Sequence, residues 1–134
     1  RPKAEELCRE LHLCDEIRFV GKQVEMEDVL AIGDLFLLTS EYESFGLAAL
    51  EAMAAEVPVV STNAGGLPEI IIDGDCGYMG NVGDVADMSQ KAISILKDDE
   101  TLKKFKAGAM KQAERFDIHN IVPQYEKLYA CYAK

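Results

Sequence analysis

Ser40-Glu41-Tyr42-Glu43-Ser44-Phe45-Gly46-Leu47-Ala48-Ala49-Leu50-Glu51-Ala52-Met53 joins a predicted strand to a predicted helix. The preceding run, Leu35-Phe36-Leu37-Leu38, is apolar in the manner of a buried parallel strand. The second half of the stretch consists of Ala, Leu, Glu and Met, which are strong helix formers. The chain therefore turns at residues 43–46. In an open α/β sheet, ligands bind at such turns, beyond the carboxyl ends of the strands.

The chemistry of this turn suits a ligand that carries both an anion and hydroxyl groups. The free amides at a helix N-terminus favour an anion, and Gly46 has no side chain to keep a ligand from the backbone. Glu43 and Glu51 frame the turn, and carboxylates accept hydrogen bonds from sugar hydroxyls. The ordinary alternatives are a capping box between Ser40 and Glu43, and a solvated helix position for Glu51.

Strands and helices alternate along the first eighty residues. The patterns predict strands over 17–21, 35–39, 57–62 and 76–80, with helices over 2–13, 26–32, 45–55 and 67–72. Three further helices are predicted over 84–97, with Asp84 as its cap, from Asp98 or Asp99 to 115, and over 120–132. The predicted fold is therefore α/β, a Rossmann-like parallel sheet with helices on both faces and a helical C-terminal tail.

Length, charge and cysteine content exclude several classes of protein. A chain of 134 residues forms one domain, and no apolar run approaches the roughly 20 residues that span a bilayer. The net charge of −10 argues against nucleic acid or an anionic membrane as a partner. The four cysteines lack the spacing of a metal site, which is typical of reduced thiols in a cytoplasmic protein.

The charges are unevenly distributed along the chain. From Gln23 to Gln90 there is no Lys or Arg, whereas thirteen carboxylates occur in the same span. A phosphate bound at Gly46 would therefore meet helix amides but no cation nearby in sequence. Lys22, at the end of the first predicted strand, is the nearest candidate.

Two other turns follow predicted strands. Gly65-Gly66 precedes a helix that starts with Leu67-Pro68, and the turn either lines the same cleft or is only a tight connection. Gly21-Lys22-Gln23 ends the first predicted strand, and its ordinary alternative is a surface loop.

Several motifs occur here in a fixed order, and they carry a resemblance to a known family. They are Glu43-x7-Glu51, Val57-Pro58-Val59-Val60, Gly65-Gly66-x-Pro68-Glu69 and Gly77-Tyr78. This order resembles the C-terminal domain of the family 4 retaining glycosyltransferases of GT-B fold. Further phrases are similar to a branch of that family in bacillithiol biosynthesis. These are Phe19–Gln23, Ser40–Leu47, Val82–Asp84 and Ile121–Glu126.

The resemblance implies an enzyme and a reaction. Residues 1–134 would be the donor-binding C-terminal domain, without its first strands and without the N-terminal domain that binds the acceptor. The parent enzyme would transfer a sugar with retention, for this branch N-acetylglucosamine from UDP-GlcNAc to a small hydroxy acid such as L-malate. The chain alone would be inactive. The oligomeric state stays open, a homo-oligomer included.

The resemblance also implies roles for matching residues. Glu43 would be the catalytic residue and would bind donor-sugar hydroxyls, and Glu51 would hold the ribose. The backbone amides of Phe45, Gly46 and Leu47 would meet the sugar and diphosphate, and Ser44 would belong to the same donor-binding site. The loop after Gly21, with Lys22 and Gln23, would flank the base, and Gly66 would line the same cleft. No metal cofactor is implied, because an Arg and a Lys neutralise the diphosphate in this family. Neither cation has a counterpart in this chain.

One residue departs from the family pattern, and two other functions stay open. Glu56 stands where many relatives have Gly, and in a left-handed helix cap it would cost about 1 kcal/mol. The alternatives are a non-catalytic nucleotide-binding or receiver-like signalling module, and a domain that keeps only the fold. A receiver needs a Lys after a later strand, and neither the third nor the fourth predicted strand is followed by one.

Overall fold

The computed structural model describes residues 1–132 and contains one parallel sheet. Its strands are β1 (Phe36–Leu38), β2 (Val59–Thr62) and β3 (Gly77–Gly80). They lie in the order β1-β2-β3, with Phe36 opposite Val59 and Val59 opposite Gly77. Because both pairings are parallel, the carboxyl ends of the three strands lie at the same edge of the sheet.

Helices connect and cover these strands. They are α1 (Pro2–Glu10), α2 (Met26–Ala31), α3 (Leu47–Ala54), α4 (Leu67–Ile70), α5 (Val85–Leu96), α6 (Asp99–Glu114) and α7 (Ile118–Ala130). Helix α3 joins β1 to β2, and α4 joins β2 to β3. The predicted α/β fold with a helical C-terminal end is confirmed. No helix within residues 1–132 is long and apolar enough to cross a membrane.

The core lies on both faces of the sheet. Adjacent residues of a strand point to opposite faces, and in β2 Val59 and Val60 are both fully buried. Val59 belongs to a cluster with residues of α3 and α4, including Met53. Val60 packs in a second cluster with Ile95 of α5 and Phe105 of α6. The central strand is therefore covered on both sides, which holds its carboxyl end in a fixed position.

The predicted strand over residues 17–21 is wrong. This segment has no regular secondary structure, and Val20 is 61% exposed. A strand is defined by hydrogen bonds to a neighbouring strand, and within the described residues the sheet consists of β1, β2 and β3. Apolar composition alone could not supply the missing partner.

The start of α7 was also predicted wrongly. The helix begins at Ile118 and not at Asn120, because the Asp117 carboxylate caps it by accepting a hydrogen bond from the backbone N–H of His119 at 2.8 Å. The earlier start places Pro123 inside the helix.

Three other local predictions are confirmed. Asp84 caps α5 by accepting from the N–H of Asp87 at 3.1 Å. Of the two aspartates predicted to start α6, Asp98 is its cap and accepts from the N–H of Thr101 at 2.7 Å. Glu56, after α3, has the left-handed φ of 60° that Gly adopts most readily.

Candidate functional site

The turn between β1 and α3 ends at Gly46, which is the N-cap of α3 and has φ of 99°. No side chain caps this helix. The capping-box alternative for Ser40 and Glu43 is therefore wrong, because it would start the helix at Ser40. Glu43 is half-buried and lies four residues before the first helical residue, Leu47. The amides of the first turn of α3 thus have no side-chain oxygen to satisfy them.

Gly46 is required by packing as well as by its backbone conformation. A Cβ at this position would lie 2.7 Å from Leu67 Cδ2 and 3.1 Å from Ile70 Cδ1. That face of Gly46 is therefore filled by α4. The sequence predicts that glycine at this position leaves space for a ligand. In the structure, Leu67 and Ile70 occupy that space instead.

The turn at Gly65 and Gly66, between β2 and α4, lies directly against the first turn. A Cβ at Gly65 would be 1.5 Å from the carbonyl oxygen of Glu43, and one at Gly66 would be 2.9 Å from the carbonyl oxygen of Ser44. Only glycine permits backbones to approach so closely. The structure therefore brings the two turns together at the carboxyl edge of the sheet.

Polar residues at the strand ends, which the sequence patterns do not predict, hold this edge together. The buried Thr62 hydroxyl donates to the carbonyl oxygen of Ser40 at 2.6 Å, joining the ends of β2 and β1. The side-chain amide of Asn63 donates to Asn81 Oδ1 at 3.0 Å, joining the segments after β2 and β3. The sequence feature that indicates such residues is a polar side chain shortly after a buried apolar run, as Thr62 and Asn63 follow Val59 and Val60.

Glu51 is exposed on α3, one helical turn after Leu47. Both residues line a groove of about 370 Å³, so they share a face of the helix. Glu114 and Asp117, from the end of α6 and the start of α7, line the same groove. The surroundings of Glu51 on this side are acidic.

On its other side, Glu51 lines a second groove, of about 670 Å³, together with Val24 and residues of α2. Val24 directly follows Lys22 and Gln23, so the structure places the loop after Gly21 at the same groove as Glu51. The side-chain amide of Gln23 donates to the carbonyl oxygen of Val20 at 2.5 Å. Lys22 is exposed and does not line either groove bordered by Glu51.

Within residues 1–132, the walls of these two grooves contain carboxylates and no lysine or arginine. The cation-poor span seen in the sequence is therefore also cation-poor in three dimensions at Glu51. Such a surface can accept hydrogen bonds from hydroxyl groups, whereas a bound diphosphate would find only backbone amides. The described part of the chain has no group of three or more His, Cys, Asp or Glu arranged to hold a metal. Metal independence stays a prediction.

A third, apolar groove of about 630 Å³ lies between α3 and α7 and is lined by Phe45. Leu47 lines this groove as well as the groove of about 370 Å³ that Glu51 borders. Phe45 packs edge-to-face on Phe116, with ring centroids 6.3 Å apart and an interplanar angle of 73°. Tyr125 and Leu128 of α7 complete its wall. A polar ligand at the turn would therefore meet the backbone of residues 45–47 more than their side chains.

Comparisons with known proteins identify similar chains. The family model of group 1 glycosyl transferases matches residues 1–112. N-acetyl-alpha-D-glucosaminyl L-malate synthase of Bacillus anthracis is 45% identical over 125 residues, which are 92% of this chain and 33% of the relative. The chain thus spans about a third of that relative's length.

Solved structures extend the similarity to the fold. The crystal structure of Anabaena Alr3699/HepE in complex with UDP matches with a TM-score of 0.90 at 25% identity, over 97% of this chain and 36% of that one. The same protein in complex with UDP-glucose matches with a TM-score of 0.86, at the same identity and coverage.

Proposed function

This chain belongs to the group 1 glycosyltransferases, and we propose that residues 1–134 form the donor-binding C-terminal domain of a retaining glycosyltransferase of GT-B fold. The observation that carries this proposal is the backbone contact between the Glu43–Gly46 turn and the Gly65–Gly66 turn at the carboxyl edge of a parallel sheet. That edge is where ligands bind in open α/β sheets. Family membership and UDP-containing structural neighbours favour this function over a receiver-like module.

The proposed donor site divides into parts with different chemistry. Glu51, exposed between two grooves, accepts hydrogen bonds from the ribose hydroxyls. Glu43, half-buried beside Gly65, accepts from hydroxyls of the transferred sugar. The backbone amides of residues 45–47 donate to the sugar and diphosphate, and this is supported by the uncapped start of α3.

The loop after Gly21 is proposed to flank the base, with Lys22 and Gln23 as its contacts. Val24, which lines a groove together with Glu51, supports this placement. Ser44 and Gly66, whose backbones are in contact, would line the donor cleft at the carboxyl edge of the sheet.

For the reaction, we propose transfer of N-acetylglucosamine from UDP-GlcNAc to a small hydroxy acid such as L-malate, as a step of bacillithiol biosynthesis in the cytoplasm. The support is the 45% identity to N-acetyl-alpha-D-glucosaminyl L-malate synthase. The acceptor would be bound by a further domain of the parent enzyme. The main catalytic contribution would be electrostatic stabilisation of the leaving diphosphate without a metal. This chain supplies amides for that task but no cation at the grooves described, so alone it should be inactive.

The ribose contact gives the sharpest test of this proposal. We expect the unmodified chain to bind UDP more tightly than 2′-deoxy-UDP by about 10- to 150-fold, since a hydrogen bond to a charged group contributes about 1.5 to 3 kcal/mol. Glu51→Gln should weaken UDP binding and reduce the difference between the two nucleotides. Isothermal titration calorimetry measures both dissociation constants.

Glu56→Gln is the matched control, because it removes an exposed carboxylate just after the other end of α3. The ratio of its dissociation constants for 2′-deoxy-UDP and UDP should equal that of the unmodified chain. If Glu51→Gln keeps the same ratio of dissociation constants, Glu51 does not bind the ribose and the proposed donor site is wrong.

A further inference from the structure

Two thiols lie next to each other at the end of α1, apart from the proposed donor site. The Sγ of Cys8 donates a hydrogen bond to the Sγ of Cys14, and the two sulfurs are 3.6 Å apart. Cys8 is buried, with 4% of its surface exposed, whereas Cys14 is exposed. The pair therefore combines a sheltered thiol with one that reagents in solution can reach.

The backbone fixes this proximity. After α1 the chain turns back through His12, which has a left-handed φ of 56°. The N–H of Leu13 donates to the carbonyl oxygen of Cys8 at 2.9 Å, and the N–H of His12 donates to that of Arg9 at 3.1 Å. These two hydrogen bonds are those of a Schellman motif, a regular way to end a helix. Leu13 is thereby held at Cys8, and Cys14 is the next residue.

We propose that Cys8 and Cys14 form a reversible redox site, which a low-molecular-weight disulfide oxidises to an intramolecular disulfide bond. This role is independent of the proposed transferase function. In a reducing compartment, disulfides of this kind are usually transient and serve redox sensing.

The exchange has two balanced steps. The Cys14 thiolate attacks one sulfur of the small disulfide, forming a mixed disulfide and releasing one small thiolate. The Cys8 thiol loses its proton to solvent and attacks Cys14 Sγ, forming the internal disulfide and releasing the second small thiolate. The two protein thiols thus lose two electrons and two protons, and the small disulfide is reduced to two thiols.

The surroundings indicate which thiol reacts first. Burial raises the pKa of the Cys8 thiol, and its hydrogen bond to Cys14 adds to this effect, so Cys8 is the poorer initial nucleophile. Both thiols line a depression of about 210 Å³ with Arg1, Glu5 and Arg9. The Arg1 guanidinium is paired with the Glu5 carboxylate at 2.6 Å, so Arg9 is the cation that this depression offers to an anionic disulfide such as glutathione disulfide. Bond formation then requires the sulfurs to close from 3.6 Å to about 2.05 Å.

Thiol counting and peptide mapping test the proposal. Cys131→Ser removes the other exposed cysteine and leaves three of the four thiols, and this variant serves as the parent protein. After incubation with glutathione disulfide, we expect its thiols accessible to alkylation under denaturing conditions to fall from three to one. Mass spectrometry should show a Cys8–Cys14 linked peptide that dithiothreitol removes.

Two variants in the Cys131→Ser background separate the steps. Cys8→Ser should accumulate a glutathione adduct on Cys14, and Cys14→Ser should form no internal disulfide. A stable adduct on Cys14 in the parent protein, with Cys8 still open to alkylation, would overturn the proposal. Disulfides only between two chains would overturn it as well. If Cys8→Ser does not fold, two results still test the proposal. They are the Cys8–Cys14 linked peptide in the parent protein and the loss of that peptide in Cys14→Ser, which changes an exposed residue.

Discussion

The backbone of Gly46 lies in the left-handed region, with φ of 99°, and its missing side chain leaves space that Leu67 and Ile70 fill. We predict that Gly46→Ala lowers the free energy of unfolding by about 2 to 4 kcal/mol. About 1 kcal/mol comes from the backbone conformation, and about 1 to 3 kcal/mol comes from overlap with Leu67, 2.7 Å from the added Cβ. Urea denaturation measures the loss.

Gly83→Ala separates these two contributions. Gly83 has φ of 83°, and a Cβ there would have no atom within 4 Å. Gly83→Ala should therefore lower the free energy of unfolding by about 1 kcal/mol, through the backbone conformation alone. Equal losses in the two variants would show that the contact with Leu67 does not require glycine at position 46.

Helix α6 offers a test of stability against pH through its cap. The Asp98 carboxylate accepts from the N–H of Thr101 at 2.7 Å and from its hydroxyl at 3.0 Å. These hydrogen bonds, the backbone one first, hold the pKa of Asp98 below its ordinary value. A depressed folded-state pKa contributes stability above the unfolded pKa of about 3.9, and the contribution is lost as pH falls through the folded value.

We therefore predict that Asp98→Asn changes the shape of the stability profile in acid. The free energy of unfolding of this variant should lie below that of the unmodified chain by a constant amount between about pH 5 and 7. The difference should shrink below about pH 4. Urea unfolding across this range measures the difference. Thr101→Val, which removes the hydroxyl donor but keeps the amide, should raise the pKa of Asp98 in an NMR titration. A difference that grows as pH falls would contradict the prediction.

The elements that could be predicted from the sequence are those whose causes are local. The strands at Phe36 and Val59 follow from apolar runs, and the start of α6 follows from the neighbouring aspartates Asp98 and Asp99. The strand at residues 17–21 was predicted wrongly because a strand depends on a partner, which a single segment cannot reveal. The helix after residue 116 was misplaced by two residues because Asp117 was not recognised as a cap.

The candidate site shows the same division between local and long-range causes. A strand-to-helix turn has a recognisable pattern, so the sequence alone predicts Glu43, Gly46 and Glu51 as candidate site residues. The contact of Gly65 with the Glu43 carbonyl, and the hydrogen bond from Thr62 to Ser40, join residues 22 positions apart in sequence. No periodicity predicts such contacts. The sequence therefore indicates that the two turns lie near one another, but it does not show that backbone contacts between them require the glycines.

Across the whole molecule, the charge distribution opposes the diphosphate ligand proposed for the Glu43–Gly46 turn. The net charge is −10, and residues 23–90 contribute thirteen carboxylates and no Lys or Arg. Glu114 and Asp117 add two more carboxylates beside Glu51. In the proposed site, the amides at the start of α3 would attract the diphosphate at short range, whereas the field of the remaining charges would repel it over a Debye length.

This opposition predicts an unusual salt dependence of nucleotide binding. Raising the ionic strength from about 0.01 M to about 0.15 M shortens the Debye length from about 30 Å to about 8 Å and screens the distant carboxylates more than the adjacent amides. We therefore expect this chain to bind UDP more tightly at the higher ionic strength, by a few-fold in calorimetric titrations. Uridine, which lacks the diphosphate, is the control and should bind equally at both. Weaker UDP binding at high salt would mean that a cation of this chain, with exposed Lys22 the first candidate, reaches the diphosphate.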